Sequence, residues 1–282
     1  GVFGFGLEYE ELFPLSKLGG IATKGTTITK RNGNPSPRIA ETPSGMINSV
    51  GLQNPGIDKF ISVELPNLMT KDTVILANIA GSTAEECVEI AQKLDKTDVH
   101  MIELNISCPN VKQGGMAFGA SCEGASGITK LVRKATSKPL VVKLSPNVTN
   151  IAEIAKAVEA EGADAVSLIN TVLGMRIDIN TRRPVLKNNM GGMSGPAVFP
   201  IAVRMVWQTA NAVNIPVIGM GGIASGEDAI EMMMAGASAV QVGAAIFTDP
   251  YAPVKIVDGI NEFLDSHNIS SVKDIIGTVK PW

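Results

Sequence analysis

TVILANIAG (73–81), STAEECVEIAQKLD (82–95) and VHMIELNIS (99–107) read in order as strand, helix, strand. The first and third runs are short, β-branched and apolar, while the middle run repeats apolar residues at helical spacing, with Ser82 or Thr83 able to cap it ahead of Glu85 and Glu86. Two strands joined by a helix lie parallel, so this stretch predicts a β-α-β unit.

The same alternation continues in both directions. Upstream lies the strand GGIATKGTT (19–27); downstream are PLVVKLS (139–145), DAVSLIN (164–170), PVIGMGG (216–222) and SAVQVGAA (238–245). Helices are expected at 126–136, 149–162, 197–213, 225–235 and 252–266. Residues 28–70, rich in Pro, Gly and Asn, read as an excursion over one end of the sheet with short strands of its own, and 171–195 as a long polar loop. Lys24, Asn78, Asn105, Lys143, Asn170, Gly221 and Gly243 each fall at the C-terminal end of a strand. A closed barrel gathers those ends at one mouth, whereas an open sheet spreads them along an edge, so a (β/α)8 TIM barrel in one domain over 1–282 is the expected fold. Only seven strands are counted, and the chain starts at Gly1 in the loop-like GVFGFGLEYEE, so the first barrel strand is expected upstream of it.

At 282 residues and 45% hydrophobic, the chain can bury a large core. A net charge of -3 with 18% charged residues leaves no footprint for nucleic acid or an anionic membrane. No apolar run reaches the roughly 18 residues that cross a bilayer, and a cytoplasmic protein is expected. Cys87, Cys108 and Cys122 are too few for a disulfide framework or a cysteine-rich metal site, and no metal is expected.

Two glycine turns, GMGGI (219–223) and QVGAAIF (241–247), end successive strands. Either they only close tight turns, or their backbone amides and the following helix N-terminus cradle a phosphate; their recurrence on successive strands favours the cradle. Lys24 and Lys143 lie in apolar strand contexts, where an ammonium needs a partner: an anionic ligand at the mouth, or a carboxylate such as Glu103. In ELNISCPNVKQGG (103–115), Cys108 opens a strand-end loop beside Pro109. A cysteine so placed is either a small packed residue or a reactive thiol. Its company favours the second: Asn48, Asn105, Asn110 and Asn170 can ring a planar, amide-rich substrate, with Ser107 helping to position it. Cys87 and Cys122 read as structural. His100 alternates away from Asn105, and His267 lies near the C-terminus, so neither is expected as a base.

Taken together, ETPSGMINSVGLQNPG (41–56), NISCPN (105–110), VVKLSPN (141–147), SLINT (167–171), GGMSGPA (191–197), VIGMGGI (217–223) and QVGAAIF (241–247) resemble the class 1 dihydroorotate dehydrogenases over almost the whole chain. NVKQGGMAFG (110–119) is similar to the catalytic subunits of class 1B. The resemblance implies oxidation of dihydroorotate to orotate on FMN, in pyrimidine biosynthesis, with Cys108 as the catalytic base. It implies FMN contacts at Lys24, Gly25, Asn78, Asn105, Lys143, Ile169, Gly195, Gly221, Gly222, Gly243 and Ala244. Substrate contacts are implied at Lys24, Asn48, Ser49, Val50, Gly51, Leu52, Asn105, Asn110, Asn170 and Thr171. It further implies a homodimer at the core of a heterotetramer, whose second subunit carries FAD and a 2Fe-2S cluster and passes electrons to NAD+. A class 1A homodimer reducing fumarate, a flavin barrel acting on dihydropyrimidines and a phosphate-binding barrel without catalysis are the alternatives.

Overall fold

The computed structural model describes residues 1–107 and 118–282. In chain order the strands are β1 (Gly20–Ala22), β2 (Ile39–Thr42), β3 (Gly45–Asn48), β4 (Val74–Ile79), β5 (Met101–Asn105), β6 (Leu140–Lys143) and β7 (Ala165–Leu168). They continue with β8 (Val172–Gly174), β9 (Ile177–Asp178), β10 (Arg183–Pro184), β11 (Gly191–Ser194), β12 (Val217–Met220) and β13 (Ala239–Gln241). The helices are α1 (Ile57–Lys59), α2 (Leu65–Leu68), α3 (Ala84–Asp95), α4 (Cys122–Arg133), α5 (Ile151–Ala160), α6 (Phe199–Ala210), α7 (Gly226–Met234) and α8 (Ala252–Ser266).

Seven strands form one parallel sheet in the order β1-β4-β5-β6-β7-β12-β13, and it curls into a nearly closed TIM barrel whose edge strands, β1 and β13, line the same cavity. The strand alternation explains the layering. In β4 and β5, Ile75, Ala77, Ile79, Ile102 and Leu104 point outward into the core shared with the helices. Their neighbours Leu76, Asn78, Met101, Glu103 and Asn105 therefore point into the barrel, as do Lys143 of β6, Ser167 of β7 and Gln241 of β13. One parity rule thus aims every inward polar side chain at one axis.

The helices form where capping and periodicity agree. Thr83 caps α3, its hydroxyl accepting from the Glu86 amide at 3.2 Å, and Cys87, Ile90, Ala91 and Leu94 make the buried stripe. Helix α4 begins four residues before the expected 126, because Ser121 caps it by accepting from the Gly124 amide.

The segment expected as a polar loop at 171–195 departs further from its reading. It contributes β8 and β11, which join β2 and β3 of the first excursion in an antiparallel sheet ordered β2-β3-β11-β8, while β9 and β10 form a small hairpin. Register pairs Asn48 with Gly192 and Gly192 with Leu173. These strands are two to four residues long and interrupted by Gly and Pro, too short for a periodic signal. Among the described residues, no helix is long and apolar enough to cross a membrane.

Candidate active site

Glu103 is fully buried at the centre of the barrel, and four strands send donors to it. The Asn78 amide of β4 donates to one carboxylate oxygen; the Ser167 hydroxyl of β7 (2.7 Å) and the Gln241 amide of β13 (3.3 Å) donate to the other. The Lys143 ammonium of β6 stands 3.7 Å away. Burial pushes the carboxyl up, but the Lys143 charge and the hydrogen bonds from Ser167 and Asn78 outweigh it and hold Glu103 below the usual range. Removing one partner of such a buried pair costs about 3–5 kcal/mol.

The two lysines that read alike in sequence have different surroundings. Lys143 takes the Glu103 carboxylate as partner and lines the cavity at the mouth. Lys24, half-buried just past β1, makes no ion pair among the described residues. Burial, with a smaller push from Arg38, lowers its pKa. A partly desolvated ammonium without a counter-charge is a ready binding group for an anion.

The expected ring of asparagines is assembled in part. The Asn105 side-chain oxygen accepts from the Asn170 amide at 3.2 Å and from the Ser107 backbone at 3.1 Å. Asn170 in turn accepts from the Thr171 backbone at 2.7 Å. Asn48, at the end of β3, donates to the Gly192 carbonyl and faces the same cavity as Asn170 and Thr171. Asn147, which sequence reading passed over, braces this corner: its amide donates to the Thr171 carbonyl and its oxygen accepts from the Leu173 backbone. Ser49 to Leu52 follow β3 through two positive-φ residues, Gly51 at +78° and Leu52 at +53°. Gly25 lies against Asn78, whose side-chain oxygen would be 2.8 Å from any Cβ at that position.

One cavity, about 560 Å³ with its run down the barrel included, reaches part of both sets of expected contacts, though Lys24, Gly25, Asn78 and Asn105 are not among the residues that line it. Asn48, Lys143, Ile169, Asn170, Thr171, Gly195, Gly221, Gly222, Gly243 and Ala244 all line it, and it continues down the barrel between β1 and β13. At the mouth, the N–H groups of Gly222, Gly243 and Ala244 donate to no partner among the described residues. Backbone amides open in this way suit an anion. Ala244 opens the short 3-10 helix Ala244–Phe247, so a helix N-terminus follows the second turn; after the first, the helix start is capped by its own side chains. The Asp228 carboxylate accepts from the Ala224 and Ser225 amides, and Ser225 accepts from the Asp228 amide, so α7 carries its own capping box.

Cys108 and Asn110 lie outside the described residues. Cys87 is buried on α3, and Cys122 is the exposed first residue of α4 rather than a loop residue. His100 is exposed at the opposite end of β5 from Asn105 and accepts from the Ile75 amide. Sequence reading weighed Glu103 only as a possible lysine partner and missed Ser167 and Gln241 as its donors. The signal was available: 103, 143, 167 and 241 share inward parity on their strands.

Residues 1–264 match the family model described as dihydroorotate dehydrogenase. A protein of Bacteroides thetaiotaomicron named dihydroorotate dehydrogenase B (NAD(+)), catalytic subunit, is 56% identical over 99% of this chain and 93% of its own length. Proteins of the same name from Phocaeicola vulgatus and from a Geobacillus species are 57% and 55% identical, over 99% and 98% of this chain and 93% and 89% of their own lengths.

Proposed function

The chain belongs to the dihydroorotate dehydrogenase family, and from that premise we propose that it oxidises dihydroorotate to orotate on FMN as a catalytic subunit in pyrimidine biosynthesis. Its electrons pass to NAD+ through a partner subunit carrying FAD and a 2Fe-2S cluster. The observation that supports the reading most is that one cavity carries Asn48, Lys143, Asn170 and Thr171 beside the Gly222, Gly243 and Ala244 amides, which donate to no partner among the described residues.

The residues present fit FMN. The glycine amides suit its phosphate, and Lys24, Asn78, Asn105 and Lys143 provide cationic and amide groups at the strand ends for its ring. FMN, when bound, supplies the hydride acceptor for carbon 6 of the substrate. The chain supplies the rest. Lys24, without a counter-charge among the described residues, takes the substrate carboxylate or an edge of the flavin. Asn48, Asn105, Asn110 and Asn170, with Thr171 and the 49–52 backbone, bind the carbonyl and amide groups of the substrate ring. Cys108 removes the proton from carbon 5, and residues 1–282 act as one barrel domain with the 28–70 and 171–195 excursions covering its mouth.

The chain also presents Leu173, Met175, Ile177, Ile179 and Met190 to solvent on and beside the β9–β10 hairpin. An apolar strip of this kind supports burial against another subunit, in a homodimer core of a heterotetramer.

An anaerobic visible spectrum before and after dihydroorotate tests the reading: a yellow protein that bleaches is expected. A yellow protein that dihydroorotate leaves unbleached overturns the substrate, and a colourless one overturns the flavin. With a thiol base of ordinary pKa about 8.5, the rate rises with pH through the neutral range. Cys108→Ser keeps FMN and orotate binding but turns over at least about a hundredfold more slowly near pH 7; wild-type turnover in that variant moves the base elsewhere.

A further inference from the structure

Glu103 has no part in the chemistry above, yet it is the one carboxylate on which the Asn78, Lys143, Ser167 and Gln241 side chains converge. An ionised carboxylate only accepts, so each group turned towards it must present a donor. Two consequences reach the mouth. Asn78 commits its amide nitrogen to Glu103 and turns its oxygen towards Gly25. Lys143, which lines the cavity, is balanced by a negative charge 3.7 Å behind its ammonium. Viewed from the cavity, the carboxylate weakens the field of the lysine.

We propose that Glu103 is a positioning residue for the flavin site, which orients Asn78, offsets the Lys143 charge and so holds down the reduction potential of the bound flavin. The inference rests on the reading that the cavity takes FMN. Reduction adds electron density to the ring system, and an uncompensated ammonium beside it favours the reduced form more than a balanced one does. Lys143 and the Ser167 and Asn78 hydrogen bonds keep Glu103 ionised against its burial, so the offsetting charge is present at neutral pH.

Anaerobic spectroelectrochemical titration of the full-length, flavin-loaded protein reads the effect directly. The expected order of midpoint potentials is Glu103→Gln highest, wild type and the Glu103→Gln/Lys143→Gln double variant together, and Lys143→Gln lowest. Glu103→Gln should lie about 30 mV or more above wild type, a tenfold change in equilibrium constant for a two-electron couple. A Glu103→Gln potential equal to that of wild type overturns the proposal. Should that variant fail to fold, Lys143→Gln and the double variant still isolate the carboxylate: the double variant should lie higher, and coincident potentials overturn the proposal. A wild-type protein that takes up no flavin sinks the functional reading together with this one, whereas a yellow wild type with a flat variant series sinks only this one.

Discussion

After β12 the chain bends through Gly221 and Gly222 at φ of +127° and +80°, whereas after β13 it bends through Gly243 at φ −124°. In the first turn the backbone itself demands glycine. A Cβ on Gly222 would lie 2.8 Å from the Gly195 carbonyl oxygen and 2.8 Å from the Phe199 Cβ. In the second turn, the nearest atom to a Cβ on Gly243 would be Val2 Cγ2 at 3.8 Å, and the added methyl would enter the cavity. The segments that follow differ too: ahead of α7 the Ala224 and Ser225 amides close on Asp228, while the Gly243 and Ala244 amides donate to no partner among the described residues. Both turns line the cavity, but only the first is also locked by its backbone conformation and by the packing around it.

That contrast can be broken by substitution. Gly222→Ala carries the largest expected loss of stability, roughly 2–5 kcal/mol from left-handed strain plus overpacking, measured by urea unfolding. Ser225→Ala removes the acceptor of the α7 cap and should cost about 1 kcal/mol in the same assay, with flavin affinity unchanged. Gly243→Ala should change stability least, by about 0.5 kcal/mol or less, yet weaken FMN binding on the order of tenfold in a fluorescence titration. If Gly243→Ala destabilised the fold as much as Gly222→Ala while retaining its flavin, the two turns would be alike after all.

The barrel was legible because its signals are long and repeated. Inward and outward residues alternate along each strand, and the polar residues that end the strands, from Asn78 to Lys143, fall on inward parity at one mouth. The mouth sheet was not legible, since β8 and β11 are short and Gly-rich, and their partners β2 and β3 lie far away in sequence. The role of Glu103 was hidden for another reason. Inside an apolar strand it reads as a lysine partner, and only closure of the sheet brings Ser167 and Gln241 to it. The α7 cap is written plainly in the sequence as Ser225 followed three residues later by Asp228. Cys108 rests on its sequence context and the family resemblance alone.

The pairing of Asn48 with Gly192 also sets an order of events in time. The two residues are 144 positions apart. At about 5–20 residues per second, a ribosome needs roughly 7 to 29 s to make that stretch. Through that interval β2 and β3 wait without β11, so the rim of the mouth is completed only after β4 to β7 have emerged. A nascent chain stopped before residue 191 therefore holds most of its barrel strands while its pocket still lacks a wall.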